Sequence, residues 1–272
     1  MSNPHGTPRI DLPASDVKRY HAAVLEFADE AWCVAAPMIE RGFATETKND
    51  GSPVTEVDRA IERQLRELIA RRFPDHGVIG EEYPPHRPES VFQWILDPID
   101  GTEEFIHGIP TWGVMLALHY DGVPVVGLID HPALDVRASA GVGLGAWRNG
   151  RRIRLREPTS PARPEAVRLV MSARLNFMRG TDEGHVFDAL ARRFPNHRIY
   201  RAAYAHTIVV TGAADAMVDA HNAIWDLAAS QVLIEEAGGA YTVVRDVATP
   251  DEHMLSVVFG RRDVVEQLVR LF

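Results

Sequence analysis

Three short stretches of this sequence carry acids that could act together: Gly80-Glu81-Glu82, Asp97-Pro98-Ile99-Asp100-Gly101-Thr102 and Trp225-Asp226. In the second, Pro98 fixes a turn between two aspartates that lie close in the chain. Two carboxylates held this near each other do not both ionise cheaply without a cation. Hard oxygen ligands on a rigid turn suit Mg²⁺, which takes octahedral oxygen coordination and keeps some of its water. Gly101-Thr102 then opens a helix. Glycine lets another group approach the backbone, and the free N–H groups of a helix start bind phosphate oxygens. One hexapeptide thus offers cation ligands and an anion cradle. An isolated Asp-x-x-Asp is usually an ordinary surface turn; the whole hexapeptide behind an apolar strand is far more specific.

The flanking pattern supplies elements that could position these acids. Apolar residues Val17, Tyr20, Val24, Phe27, Ala31 and Val34 recur at helical spacing, predicting a long helix from Ser15, as N-cap, to about Arg41, with Pro37 near its end. A turn follows at Asn49-Asp50-Gly51-Ser52-Pro53, then a second helix over Glu56 to Arg72. Strands are expected at Gly77–Gly80, Phe92–Leu96, Thr111–Leu118 and Val123–Asp130, the last two joined at Asp121-Gly122. Alternation at Arg152–Arg156 adds another. The Pro-rich passage Pro158–Pro164 is the expected boundary between an N-terminal α+β half, 1–157, and a C-terminal α/β half, 158–272. In the second half, strands are expected at Val167–Ser172, His197–Arg201 and Ala216–Asp219. Helices are expected at Gly184–Phe194, Tyr204–Gly212 and Trp225–Ala237, the last closed by Gly238-Gly239. Each acidic stretch falls where a strand ends or a helix begins, the usual ligand position in α/β sheets.

Composition narrows the classes. The 272 residues suffice for a substantial core, and no apolar run approaches the roughly 20 residues of a membrane span. Met1 to Pro13 has no apolar signal-peptide core and reads as a disordered lead-in. One cysteine, Cys33, excludes an intrachain disulfide and fits a reducing cytoplasm. A formal charge of −9 speaks against nucleic-acid binding. Gly141-Val142-Gly143-Leu144-Gly145-Ala146 fits a loose dinucleotide pattern but runs into a hairpin turn rather than a helix. The arginines from Arg148 to Arg156 read as a solvated strand face and His107 as structural, while His206 and His221 fall near the expected substrate wall, with substrate contact the lesser alternative. Glu103 and Glu104 suit the positive end of the helix they begin.

Taken together in order, Val54-Thr55-Glu56-Val57-Asp58, Gly80-Glu81-Glu82, Asp97–Thr102 and Trp225-Asp226 with Glu236-Ala237-Gly238-Gly239 resemble the motifs of the inositol monophosphatase family. The resemblance implies a layered α-β-α-β-α sandwich of the inositol monophosphatase and fructose-1,6-bisphosphatase type. It implies two or three Mg²⁺ per active site, held by Glu81, Asp97, Asp100, Asp226 and the backbone carbonyl of Ile99. It implies that Glu81, with the Thr102–Asp58 pair, activates the attacking water. Asp100, Gly101, Thr102 and Asp226 would face the phosphate, and Asp219 the rest of the substrate. The expected activity is hydrolysis of a small, soluble phosphate monoester by a homodimer. Gly108-Ile109-Pro110-Thr111-Trp112-Gly113 and Gly127-Leu128-Ile129-Asp130-His131-Pro132 are similar to the histidinol-phosphatase branch, favouring histidinol phosphate and a place in histidine synthesis. The alternatives are inositol 1-phosphate, a broader range of sugar phosphates, or non-catalytic binding of a phosphorylated ligand. Retention of all the acids argues against the last.

Overall fold

Alternation along one strand explains the layering. The computed structural model describes residues 12–156, 162–179, 183–249 and 253–272. In the strand over Phe92–Asp100, Trp94 and Leu96 enter one core and Ile95 enters another. Successive strand side chains point to opposite faces, so a sheet apolar on both faces must be covered on both.

The elements run α1 (Ala14–Arg41), a small hairpin of β1 (Thr45–Thr47) and β2 (Pro53–Thr55), and α2 (Glu56–Arg72). Next come β3 (Gly77–Gly80), β4 (Phe92–Asp100), α3 (Thr102–Ile106), β5 (Gly113–Tyr120), β6 (Val123–His131), β7 (Val136–Gly141), β8 (Gly145–Arg148) and β9 (Arg151–Ile153). Strands β3 to β9 form a seven-stranded sheet in sequence order, antiparallel except for the parallel β3–β4 pair. The chain continues through β10 (Leu169–Met171), α4 (Arg174–Met178), α5 (Gly184–Arg193), β11 (Arg198–Ile199), α6 (Ala202–Val210), β12 (Ala216–Asn222), α7 (Ile224–Glu236), β13 (Ala240–Ala248), β14 (His253–Gly260) and α8 (Arg262–Val269). These strands make a five-stranded sheet ordered β11-β10-β12-β14-β13.

Three cores separate five layers. Helices α1 and α2 cover one face of the larger sheet through Phe27, Ile61, Leu65, Trp94 and Leu116. Helices α6 and α7 lie between the sheets, joining Ile95, Met115 and Ile129 to Met217, Val257 and Phe259. Helices α5 and α8 close the outer face of the smaller sheet around Phe187, Leu190, Val218 and Leu268. The expected α-β-α-β-α sandwich is therefore observed. Among the described residues no helix is long and apolar enough to cross a membrane.

Several local expectations shift. Helix α1 is capped by extended Pro13, with no side-chain cap bond, because the helical turn already includes Ala14; Ser15 thus lies inside it rather than at its cap. The helix continues through Pro37 to Arg41. The Thr111–Leu118 strand is observed as Gly113–Tyr120, and the alternating Arg152–Arg156 segment pairs only through Ile153. Cys33 is exposed on α1. The lead-in over 1–11 and the boundary at 157/158 lie outside the described residues; one sheet falls on each side of that boundary.

Helix α7 approaches the larger sheet closely because Gly127 of β6 has no side chain. A Cβ there would stand 2.6 Å from the Ala229 carbonyl oxygen and 2.6 Å from Val232 Cγ1. A helix backbone cannot yield as a flexible side chain can. Gly127→Ala is therefore expected to destabilise the protein by about 1–3 kcal/mol, read as a lower thermal midpoint of about 2–4 °C per kcal/mol. An unchanged midpoint would show that α7 is not held at this distance.

Candidate active site

Each acidic stretch is placed by a different layer. Strand β4 delivers Asp97, and its pairing with β5 shifts register between Asp97 and Asp100, so the strand bulges where the acids lie. Such bulges re-aim side chains. Asp97 Oδ1 accepts the Ile99 N–H at 3.1 Å, tightening the turn around Pro98. Gly101 follows at φ 95°, in the left-handed region, and caps α3. A Cβ on Gly101 would sit 3.3 Å from Trp112 Cα and 3.2 Å from Ala202 Cβ. Ala202, which opens α6, is itself left-handed at φ 57°, a conformation costing a non-glycine residue roughly 1–2 kcal/mol.

The parallel neighbour β3 ends at Gly80 and brings Glu81 alongside, its N–H donating to Leu96 O at 3.3 Å. Beneath it, fully buried Glu62 of α2 accepts the Glu82 N–H at 2.8 Å and the Arg66 Nε–H at 2.8 Å. Arg66 also donates to Tyr83 O at 2.9 Å. Gly80 is needed for this approach: its missing Cβ would fall 2.2 Å from Glu62 Oε1. Thr55 caps α2 in a reciprocal capping box, so Asp58 Oδ2 accepts both the Thr55 N–H and its hydroxyl. Asp58 Oδ1 is left to accept from Thr102 Oγ1 at 3.4 Å, which also lies 3.2 Å from Ile99 O. From the middle layer, α7 presents Asp226, whose Oδ2 accepts the Ala223 N–H at 2.9 Å.

Glu81, Asp97, Ile99, Asp100, Gly101, Thr102, Asp219 and Asp226 all line one cavity of about 280 Å³. The structure thus brings together the site residues expected from sequence, with Asp58 behind Thr102. Glu103, Glu104 and His206 also reach its wall. His206 is buried, Nδ1 at 2.6 Å from Ser230 Oγ and Nε2 at 2.8 Å from Asp219 Oδ2, so it fixes the orientation of Asp219. Lys48 was not singled out by sequence: in the turn between β1 and β2, its Nζ contacts Glu81 Oε1 at 2.6 Å and Glu82 Oε1 at 2.7 Å. Its only sequence signal is a lone lysine before a tight turn. Ser172, Asn176, Tyr200, Arg201 and Asn222 also line it and belong to no local motif.

The acids burden one another. Burial, then the charges of Glu81, Asp100 and Asp226, raise Asp97 well above the ordinary carboxylate range. Burial and then Asp226 and Glu81 do the same to Asp100. Burial and Glu81 push Asp226 up to about 8, although its hydrogen bonds with Ala223 and Asp97 oppose the rise. Burial also lifts Asp58 to about 6 against its bonds from Thr55, and Glu82 to about 7 against those from Lys48. Burial disfavours the Lys48 ammonium, but Glu81 and Glu82 outweigh it and raise its pKa. Among the described residues no three acid, histidine or cysteine side chains already close on one point as a metal cage. The acids instead ring the cavity, with Glu81 turned to Lys48. All-oxygen donors that resist ionising together, with Asp97 and Asp226 near enough to share a proton, are the donor set that a hard divalent cation neutralises.

Raised acids bind protons in the folded state that the unfolded chain has already released. Their contribution to stability is complete below the unfolded carboxylate value of about 4. It is lost as pH rises through the folded values near 6 for Asp58 and 8 for Asp226. In EDTA, the thermal midpoint should fall between about pH 5 and pH 9, and Asp226→Asn should flatten the upper part of that slope. A midpoint that is level or rising in the parent protein would contradict this account of the cluster.

With this geometry in view, comparison with known proteins is specific. A sequence model described as the inositol monophosphatase family matches residues 21–266. A histidinol-phosphatase of Chlorobaculum parvum is 35% identical over 216 residues, covering 79% of this chain and 82% of that protein. One of Mycobacterium tuberculosis is 37% identical over 208 residues, covering 75% and 79% respectively. Among solved structures, an IMPase from Thermotoga maritima has a TM-score of 0.76 at 27% identity, covering 92% of this chain and 95% of its own. The inositol monophosphatase from Anabaena has a TM-score of 0.77 at 25% identity, covering 94% and 96%. By the span of the family match, the identities and the shared layered fold, the chain belongs to the inositol monophosphatase family.

Proposed function

We propose that this protein is a Mg²⁺-dependent phosphatase that hydrolyses histidinol phosphate to histidinol and phosphate. The observation that carries the reading is the convergence of Glu81, Asp97, Asp100 and Asp226 on one cavity beside the Gly101-Thr102 helix start. The histidinol-phosphatases similar to this chain support the choice of ester. So does Asp219, a buried acid on the cavity wall suited to pair with an amine. The same reading places the protein in the cytoplasm as a homodimer. Ile199 on the short edge strand β11, and Leu175 and Met178 on α4, are exposed apolar residues available to such pairing.

Glu81, Asp97, Asp100, Asp226 and the Ile99 carbonyl would hold the metal. Bound Mg²⁺ supplies neutralisation of phosphoryl charge and acidifies water. The remaining work belongs to the chain. The first N–H groups of α3 lack intrahelical partners and face an anion, with Gly101 keeping the approach open. Thr102 Oγ1 donates its proton to Asp58, leaving its lone pairs to receive a hydrogen bond from the attacking water. Glu81, at the end of the parallel neighbour β3, stands beside the β4 acids to take the water's proton. Asp97 is buried, where fixed charges act more strongly than at the open surface.

Phosphate release from histidinol phosphate and inositol 1-phosphate, compared side by side with Mg²⁺, tests the reading. Histidinol phosphate should be preferred, and EDTA should abolish turnover. Asp97→Asn should lower kcat by at least about a thousandfold while circular dichroism shows the fold retained. A preference for inositol 1-phosphate would overturn the substrate, and near-normal activity of Asp97→Asn the site.

A further inference from the structure

Strand β12 pairs regularly with β14 from Ala216 to Asp219 and then slips, the register breaking between Asp219 and Asn222. His221, in the slipped segment, adopts φ 61°, which a non-glycine residue holds only where its surroundings enforce it. Two hydroxyls do so. Ser172 Oγ accepts the Ala220 N–H at 3.0 Å, and Ser256 Oγ accepts the His221 N–H at 3.2 Å, replacing ladder bonds that the slip removes. The bulge is thus built from three strands, since Ser172 follows β10 and Ser256 lies in β14.

Its effect is to aim Asn222. This side chain lines the same cavity as Asp219 and Asp226, and its Nδ2 is buried with no hydrogen-bond partner. A buried polar group left unpaired costs about 1–3 kcal/mol and is uncommon in folded proteins. An amide nitrogen is a donor only, so it calls for an acceptor. Asp219 beside it is the converse: His206 occupies Oδ2, and Oδ1 remains to accept. Asn222 and Asp219 thus both border the cavity, one with an unpaired donor and the other with an acceptor oxygen not taken by His206.

We propose that Asn222 is a specificity residue, its Nδ2 donating to an acceptor on the leaving group while Asp219 accepts from a donor on that same group. The inference rests on the phosphatase reading. It defines the alcohol released as one carrying both kinds of polar atom, such as an amino alcohol with a ring nitrogen or a polyol. A simple aryl alcohol satisfies neither partner.

The test compares kcat and KM for histidinol phosphate, inositol 1-phosphate and phenyl phosphate, with Mg²⁺, in the parent protein, Asn222→Leu and Asn222→Asp. Leucine removes both polar atoms; aspartate keeps the shape and removes the donor. In both variants kcat/KM for the preferred polar ester, relative to phenyl phosphate, should fall about tenfold to a hundredfold, with the loss mainly in KM. Turnover of phenyl phosphate by each variant reports an assembled site. A ratio unchanged within about twofold, or equal losses on all esters, gives Asn222 a structural role only and overturns the inference. Retention of the ratio in Asn222→Asp alone shows that an acceptor is what faces the substrate, and overturns it too. A parent protein inert toward all three esters overturns the phosphatase reading and this inference together; the other outcomes overturn this inference alone.

Discussion

Like charges held around one cavity are the constraint on which the rest of the structure turns. Asp97, Asp100, Asp226 and Glu81 repel one another, and burial of the three aspartates sharpens that repulsion. Such an arrangement persists only where the surrounding packing over-determines it. Three of these acids have their own support. Asp97 is braced by the Ile99 N–H, Asp226 by the Ala223 N–H and Glu81 by Lys48. The supports come from the larger sheet, the middle helices and the small hairpin, so the repulsion is spread over several packed elements.

Glu62 shows how a residue remote from the cavity serves it. Fully buried in α2, it uses one oxygen for the Glu82 backbone and the other for Arg66, which reaches Tyr83. Burial raises its pKa, and the bonds from Glu82 and Arg66 oppose that rise. The same helix carries Asp58 at its first turn. One helix thus sets both the position of the Glu81 segment and the acceptor behind Thr102. The capping box holds Asp58 Oδ2 and leaves Oδ1 for Thr102, so helix initiation and the Thr102 hydroxyl share a carboxylate.

Much of the site was legible in the sequence because its parts are local. Asp97 to Thr102 is a single turn, Thr55 to Asp58 a single cap and Trp225-Asp226 the start of a single helix, and each shape is dictated by near neighbours. The long helices were legible for the same reason, their apolar spacing being regular over many residues. Strand β7 was missed because Ala138, Ser139, Ala140 and Gly141 carry little strand preference and are buried only through tertiary packing. Strands β13 and β14 and helix α8 were not foreseen, and β13 is a largely half-exposed edge without clean alternation. Lys48 and Asn222 escaped notice because nothing nearby in the chain identifies them. Lys48 meets acids more than thirty residues away, and Asn222 matters through a bulge held by hydroxyls from two other strands.

Helix α7 lies between the two sheets and is buried against both, yet it carries Asp226 on its first turn. A chain in which only the larger sheet has formed would own the hexapeptide and Glu81 but lack the acid that completes their ring. Asp226 joins the ring only where α7 has packed between the sheets, so closure of the middle layer and closure of the acid ring coincide.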